Sequence, residues 1–132
     1  MLISKYEYPT LRRETQTNGK RQYVGDDSIP VPSVTTVLSE TGDKTALIAW
    51  RKRVGDAEAT RISTEAAGLG TKVHNAIEKY ILQEEWDTFG NNHVSILAKT
   101  MTTMMVENGL NKIDELWGVE VGLIAAGLYA GT

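Results

Sequence analysis

The sequence contains no cysteine, only two histidines, and no hydrophobic run long enough to cross a membrane. The absence of cysteine excludes disulfide bonds and thiolate metal sites, and it suits the reducing cytoplasm in which we expect the protein to act. The longest apolar stretch, residues 119–130, is interrupted by Glu120 and by glycines, so we expect no membrane association. The first five residues become polar at once, and no signal peptide is recognisable.

The net charge of −3 argues against a generic nucleic-acid-binding protein. The charge is unevenly distributed, because residues 1–61 carry a net charge of +2 and residues 62–132 a net charge of −5. A basic half beside an acidic half suits a surface that grips a nucleic-acid backbone next to one that holds a metal ion. An excess of two positive charges is equally consistent with chance.

The hydrophobic periodicity predicts an α+β protein that begins with a β-hairpin over residues 1–25. Asn18-Gly19 is a strong two-residue turn signal between two polar strands. Residues 26–32 are predicted to form a loop, and Ser33 is predicted to be the N-cap of a short helix.

Amphipathic patterns predict several helices within residues 33–110. Two of them are separate helices over 56–67 and 69–82, because Gly68 is typical of a helix end, and another covers residues 94–108. The side chains predicted to face the core on the last of these helices are Leu97, Met101, Met104 and Met105.

The pattern becomes extended in residues 116–132, which are predicted to be the first strands of a sheet. One strand covers residues 117–123, and another begins at Leu128. Because two strands do not make a stable sheet alone, we expect further strands, from the rest of a longer protein or from a second chain. Residues 1–132 are therefore predicted to form a single incomplete domain.

One helical stripe contains a candidate for metal or phosphate binding. Gly70, His74 and Glu78 are spaced four residues apart, so they lie along the same side of a helix. A lone helical histidine is more often structural, but the open space beside glycine and the carboxylate one turn on favour a ligand. A zinc hydrolase would need a second histidine at helical spacing, and His93 lies in a predicted exposed loop. Magnesium or manganese suits this set better.

Glu120 is a second candidate because it lies within the predicted apolar strand. If both faces of that strand are buried, its carboxylate must be paired or bound to a metal. The alternative is a solvent-facing strand residue.

Two further segments are candidates for phosphate contact. Trp50-Arg51-Lys52-Arg53 is a basic cluster on a predicted helix, and its alternative explanation is a solvated helix face. The hydroxyl-rich helix start at 33–36 suits hydrogen bonds to a nucleic-acid phosphate, although ordinary helix capping explains it equally.

Taken in order and spacing, these motifs resemble those of phage-type exonucleases, over about residues 23–132. Those enzymes are similar to the mitochondrial genome-maintenance exonuclease and the RecB nuclease domain, in the PD-(D/E)XK superfamily. The matching segments are Pro32-Ser33-Val34-Thr35-Thr36-Val37-Leu38, Trp50-Arg51-Lys52-Arg53-Val54-Gly55, Gly70-Thr71 with His74 and Glu78, then Glu120 and Tyr129-Ala130-Gly131-Thr132.

This resemblance implies a restriction-endonuclease-like core and metal-dependent hydrolysis of DNA, single-stranded or with a free end, by Mg²⁺ or Mn²⁺. For a phage protein the compartment would be the host cytoplasm. The resemblance implies catalytic, metal-binding roles for His74 and Glu120. The residues that it implies for DNA contact are Ser33, Thr35, Arg51, Arg53 and, by allowing close approach, Gly70.

The chain departs from the family pattern at the main catalytic carboxylates. The family places a metal-binding aspartate just after the match to Gly131-Thr132, followed later by an Asp/Glu-x-Lys strand. None of the 17 acidic residues here has lysine two positions on. We therefore expect the N-terminal part of such a nuclease, inactive by itself. The alternative is a non-catalytic remnant that binds DNA or a partner chain.

Overall fold

The computed structural model describes residues 2–132, which form two compact units. The helical unit comprises residues 2–3 and 44–119, and the β unit comprises residues 4–43 and 120–132. The described residues combine α-helices with two small antiparallel sheets, so the predicted α+β class is confirmed. None of the helices between residues 2 and 132 combines the length and apolar character that crossing a membrane requires.

The β unit begins with three antiparallel strands: β1 (Arg12–Thr15), β2 (Arg21–Val24) and β3 (Pro30–Pro32). The predicted hairpin is confirmed over residues 12–24, whereas residues 3–11 form no strand, and the predicted two-residue turn is wrong. The Gly19 N–H donates to the Gln16 carbonyl at 2.9 Å, and the Gln16 N–H donates to the Lys20 carbonyl at 2.8 Å. The loop therefore has three residues, and Gly19 takes the positive φ of 80° that this loop type requires.

Strand β3 lies where a loop was predicted over residues 26–32. The Ser33 N–H donates to the Arg21 carbonyl at 3.2 Å. The backbone N–H and C=O groups of Val31 and Ser33, which are alternate residues of the chain, therefore point toward β2. The nitrogen atoms of Pro30 and Pro32 then point away from β2, so their missing N–H groups cost no hydrogen bond to that strand. Proline spacing thus permits an edge strand that the loop prediction overlooked.

Helix α1 (Val34–Thr41) follows, with Ser33 as its N-cap, as predicted. A second hairpin, β4 (Leu123–Ala125) and β5 (Tyr129–Gly131), completes the β unit. Its core consists of Tyr23, Val31 and Ala130, with Leu11 and Ile124 packed against them.

The predicted strand over residues 117–123 is wrong, because only Leu123 of this stretch belongs to a strand. Glu120 lies in a bend at a φ of 51°, and it is exposed. A Cβ atom at Gly122 would lie 2.8 Å from the Pro9 carbonyl oxygen, so the backbone approaches its neighbour too closely for a side chain. Strand β4 therefore begins at Leu123, later in the chain than the hydrophobic pattern predicts.

The helical unit contains α2 (Thr45–Val54), α3 (Asp56–Ile81), α4 (His93–Asn108) and a short 3₁₀ helix (Leu110–Lys112). Helix α3 is continuous over 26 residues, so the prediction of two helices over 56–67 and 69–82 is wrong. A glycine inside a helix costs about 1 kcal/mol relative to alanine, which weakens a long helix without ending it.

The predicted core face of α4 is also wrong. The buried residues are Ser95, Ala98 and Thr102, which share one side of the helix. The hydroxyl of Thr102 donates to the Ala98 carbonyl at 2.8 Å, so this buried polar group is satisfied. The side chains predicted to face the core are instead 39–59% exposed; they are Leu97, Met101, Met104 and Met105. Small residues let α4 approach α3 closely, and that contact replaces the one predicted from hydrophobicity.

Candidate nucleic-acid interface

The β unit contains an open groove of about 520 Å³ that is lined by the first hairpin and by α1. Basic and hydroxyl side chains dominate its lining. The groove residues are Arg13, Thr15, Lys20, Arg21, Ser33, Thr35, Thr36, Ser39 and Glu40, together with Gly19. We refer to this feature as the basic groove.

Strand register brings the basic residues of the hairpin together. Thr15 pairs with Arg21, and Arg13 lies two residues before Thr15, so all three occupy one face of the sheet. A two-residue turn at Asn18-Gly19 would instead have paired Thr15 with Gln22, which would place Arg21 on the opposite face. The three-residue loop therefore creates this part of the groove.

Ser33 is held at the point where β3 meets α1. Its side chain is 1% exposed, and its Oγ accepts a hydrogen bond from the Thr36 N–H at 3.1 Å and lies 2.8 Å from the Thr36 hydroxyl. Ser33 therefore caps α1, which was the structural alternative for this residue. Thr35 is exposed in the groove beside the helix start, where backbone N–H groups favour an anion.

The electrostatics of the basic groove favour a negatively charged ligand. Lys20 forms an ion pair with Glu40, so these two charges offset each other. Arg13 and Arg21 add two further positive charges. The Nε of Arg21 is buried and has no hydrogen-bond partner among the described residues. A buried cationic donor without a partner is costly, and the positive charge of this guanidinium beside the groove favours an anionic ligand there.

The stripe of Gly70, His74 and Glu78 lies on the continuous helix α3, so the predicted helical alignment of these residues holds. His74 is exposed and Glu78 is half-buried. Glu120 belongs to the β unit, whereas His74 belongs to the helical unit. Within residues 2–132, no group of three or more His, Asp or Glu side chains is arranged to hold a metal ion.

Arg51 on α2 is occupied by contacts within the helical unit. Its Nε lies 3.3 Å from the Asp56 carboxylate, and its Nη2 donates to the Thr60 hydroxyl at 3.1 Å. Arg51 therefore braces the junction between α2 and α3, where Gly55 adopts a φ of 88°. Arg53 is exposed on the same helix.

Sequence reasoning selected Ser33 and Thr35 but missed the basic residues beside them. Arg13 and Arg21 flank the hairpin turn, and a correct register would have placed both on one face. His93, in contrast, begins α4 rather than lying in a loop; its exposed side chain lies 3.5 Å from Glu65.

Comparison of the chain with protein-family models, with curated proteins and with solved structures finds no match. The interpretation of the basic groove and of the α3 stripe therefore rests on their geometry.

Proposed function

We propose that this chain binds DNA through the basic groove, as part of a metal-dependent exonuclease of the PD-(D/E)XK type with a restriction-endonuclease-like core. The observation that supports DNA binding most strongly is the convergence of Arg13, Arg21 and Thr35 in one groove at the start of a helix. The motif resemblance, in which Ser33 and Thr35 also take part, supports the nuclease assignment.

The groove suits the DNA backbone better than a base edge. Arginine side chains, hydroxyls and the N–H groups of a helix start all bind phosphate oxygens. Such contacts position a strand without selecting its sequence, as an exonuclease requires. In this proposal Ser33 acts indirectly, because its own hydroxyl caps α1 and orients the helix start toward the phosphate. Arg53 adds an exposed cation on α2, and Gly70 leaves open space on α3.

Mg²⁺ or Mn²⁺ is the cofactor that we propose for the nuclease, with His74 and Glu120 as two of its ligands. The described residues do not form a metal site by themselves, because they contain no group of three suitable side chains. An imidazole with one carboxylate would hold magnesium weakly, since that ion favours several oxygen ligands. We therefore assign no step of hydrolysis to these residues, and we expect the 132-residue chain to bind DNA without cutting it.

The second candidate is a non-catalytic module that binds DNA or a partner chain. The lack of a three-ligand metal group within residues 2–132 favours it. A partner strand would have a place to pair, because β4 is hydrogen-bonded only to β5 among the described strands.

A paired binding and cleavage assay tests the proposal. Fluorescently labelled duplex and single-stranded DNA should bind the purified chain in EDTA, and affinity should fall steeply with salt. No digestion should follow when magnesium or manganese is added. Absence of DNA binding at low salt would refute the proposal. Metal-dependent digestion that is lost in His74→Ala would show that the catalytic set is already complete.

Digestion by an extended form of the chain, but not by this one, would support the exonuclease over the non-catalytic module. Binding without digestion by both forms would favour the module.

A further inference from the structure

The helical unit contains a second groove, smaller than the basic groove, with a volume of about 180 Å³. It is lined on one side by α3 and on the other by the segment that follows this helix. The α3 residues are Lys72, Asn75, Ala76 and Lys79, and the segment contributes Trp86 and Phe89. We refer to it as the aromatic groove.

Helical spacing explains why the α3 residues share a face. Lys72, Asn75, Ala76 and Lys79 are related by steps of three and four residues, and Ala76, at 4% exposure, forms the floor. At 100° per residue, this face lies roughly 150° around the helix from the stripe that contains His74. The aromatic groove is therefore separate from the motif residues.

The two lysines are available for an anionic ligand. Lys72 and Lys79 are exposed, and neither forms an ion pair with another described residue. Lys99, by comparison, lies 3.4 Å from the carboxylate of Asp87. The free lysines lie two helical turns apart, so they can contact the same phosphate group or two successive ones.

The aromatic side is held in place by contacts at both ends of its segment. Trp86 makes an edge-to-face contact with Tyr80, with ring centroids 6.0 Å apart. At Gly90, an added Cβ would lie 3.3 Å from the Ser95 hydroxyl, so the backbone packs tightly against α4. Trp86 and Phe89 are both only partly buried. Fixed, accessible aromatic side chains next to free lysines are the composition that binds single-stranded nucleic acid.

We propose that the aromatic groove binds one unpaired nucleotide of a DNA strand. The base packs against Trp86 and Phe89, and its phosphate contacts Lys72 and Lys79. The base must be free of its complement to reach the aromatic side chains, so this site favours single-stranded DNA. The inference rests on the proposed function for the choice of ligand, but it uses none of the residues of the basic groove.

Tryptophan fluorescence of the whole chain tests this site directly. Replacing Trp50 and Trp117 by phenylalanine leaves Trp86 as the only tryptophan. Titration with oligo(dT) should quench Trp86 fluorescence, and fully paired DNA should quench it much less. Phe89→Leu keeps an apolar side chain but removes the ring, and it should weaken oligo(dT) binding about tenfold. Replacing Lys72 and Lys79 by alanine should lower the slope of affinity against salt by about 0.7 for each lost contact.

Lys112→Ala is the matched control, because Lys112 is an exposed lysine of the same unit that does not line the groove. It should leave oligo(dT) binding unchanged. If oligo(dT) binds with unaltered Trp86 fluorescence, and Phe89→Leu binds as tightly as the parent, the aromatic groove is not the site while the proposed function stands. If neither duplex nor single-stranded DNA binds at low salt, both proposals fail.

Discussion

The two units of this protein arrange their polar side chains in different ways. In the β unit, strand register and a helix start bring Arg13, Arg21 and Thr35 into one groove. In the helical unit, the polar residues lie along helix faces, so each face carries its own set, such as His74 or Lys72. Which polar side chains lie together therefore depends on strand pairing in the β unit and on the continuity of the helix in the helical unit.

The cores of the two units differ as well. Tyr23 and Val31 fill the β unit, whereas small residues such as Ala98 form the buried face of α4. Ala98→Leu should therefore destabilise the protein by about 1–3 kcal/mol, because no space exists at a fully buried alanine. Leu97→Gln, at a half-exposed neighbour, should change stability by no more than about 0.5 kcal/mol. Denaturant unfolding checks the pair, and equal effects would contradict the small-residue contact.

Glycine substitutions should have opposite signs in the two units. Gly19→Ala should cost about 1 kcal/mol, because alanine is strained at a φ of 80°. Gly68→Ala should stabilise α3 by about 0.5–1 kcal/mol, because a Cβ there would meet open space inside a helix. Thermal unfolding measures both changes. Destabilisation by Gly68→Ala would contradict a continuous α3.

Gly70→Ala extends this test to function, with Gly68→Ala as its control. Both substitutions fill open space on α3 and should stabilise the helix by a similar amount. If DNA approaches α3 at Gly70, only Gly70→Ala should weaken DNA binding. Identical affinities for the two variants would remove Gly70 from the interface.

Arg51 and Arg53 lie on the same helix but differ in their surroundings. Arg51 contacts neighbouring side chains, whereas Arg53 is exposed. Arg51→Ala should lower stability by up to about 1 kcal/mol, because it removes the contacts to Asp56 and Thr60. Arg53→Ala should leave stability unchanged and lower the salt dependence of DNA binding. Thermal unfolding together with salt-dependent binding distinguishes the two roles. A loss of stability in Arg53→Ala, together with a loss of salt dependence in Arg51→Ala, would contradict this assignment of roles.

The smallest expected effect is a pH dependence in the helical unit. The hydrogen bonds from Arg61 lower the pKa of Glu58 below its ordinary value of 4.5. A lowered folded-state pKa stabilises the protein above that ordinary value, and the contribution is lost as the pH falls through the folded pKa. Both side chains are exposed, so solvent screening keeps the effect small. Thermal unfolding of Glu58→Gln should differ slightly from the parent at pH 7 and converge with it at acid pH.

Local signals predicted some elements well and others poorly. Ser33 as an N-cap was predictable because capping depends on neighbouring residues alone. The turn at Asn18-Gly19 was located correctly, but its length was not, and one residue of register decides which face Arg21 occupies. The exposure of Leu97 could not be derived from α4 alone, because it depends on the surface that α3 presents. Glu120 was assigned to a strand on hydrophobicity, whereas the close approach of Gly122 to Pro9 determines the backbone there.

The most direct test of DNA binding by the β unit is the salt dependence of affinity for duplex DNA. The double substitution Arg13→Ala and Arg21→Gln should lower the slope of log affinity against log salt by about 0.9 for each lost phosphate contact. Arg12→Ala is the matched control, because Arg12 is an exposed arginine on the other face of β1 that pairs with Glu14 at 2.9 Å. We expect a clear loss of slope for the double variant and none for the control. An unchanged slope for the double variant, in a protein that still binds DNA and unfolds normally, would contradict DNA binding through the basic groove.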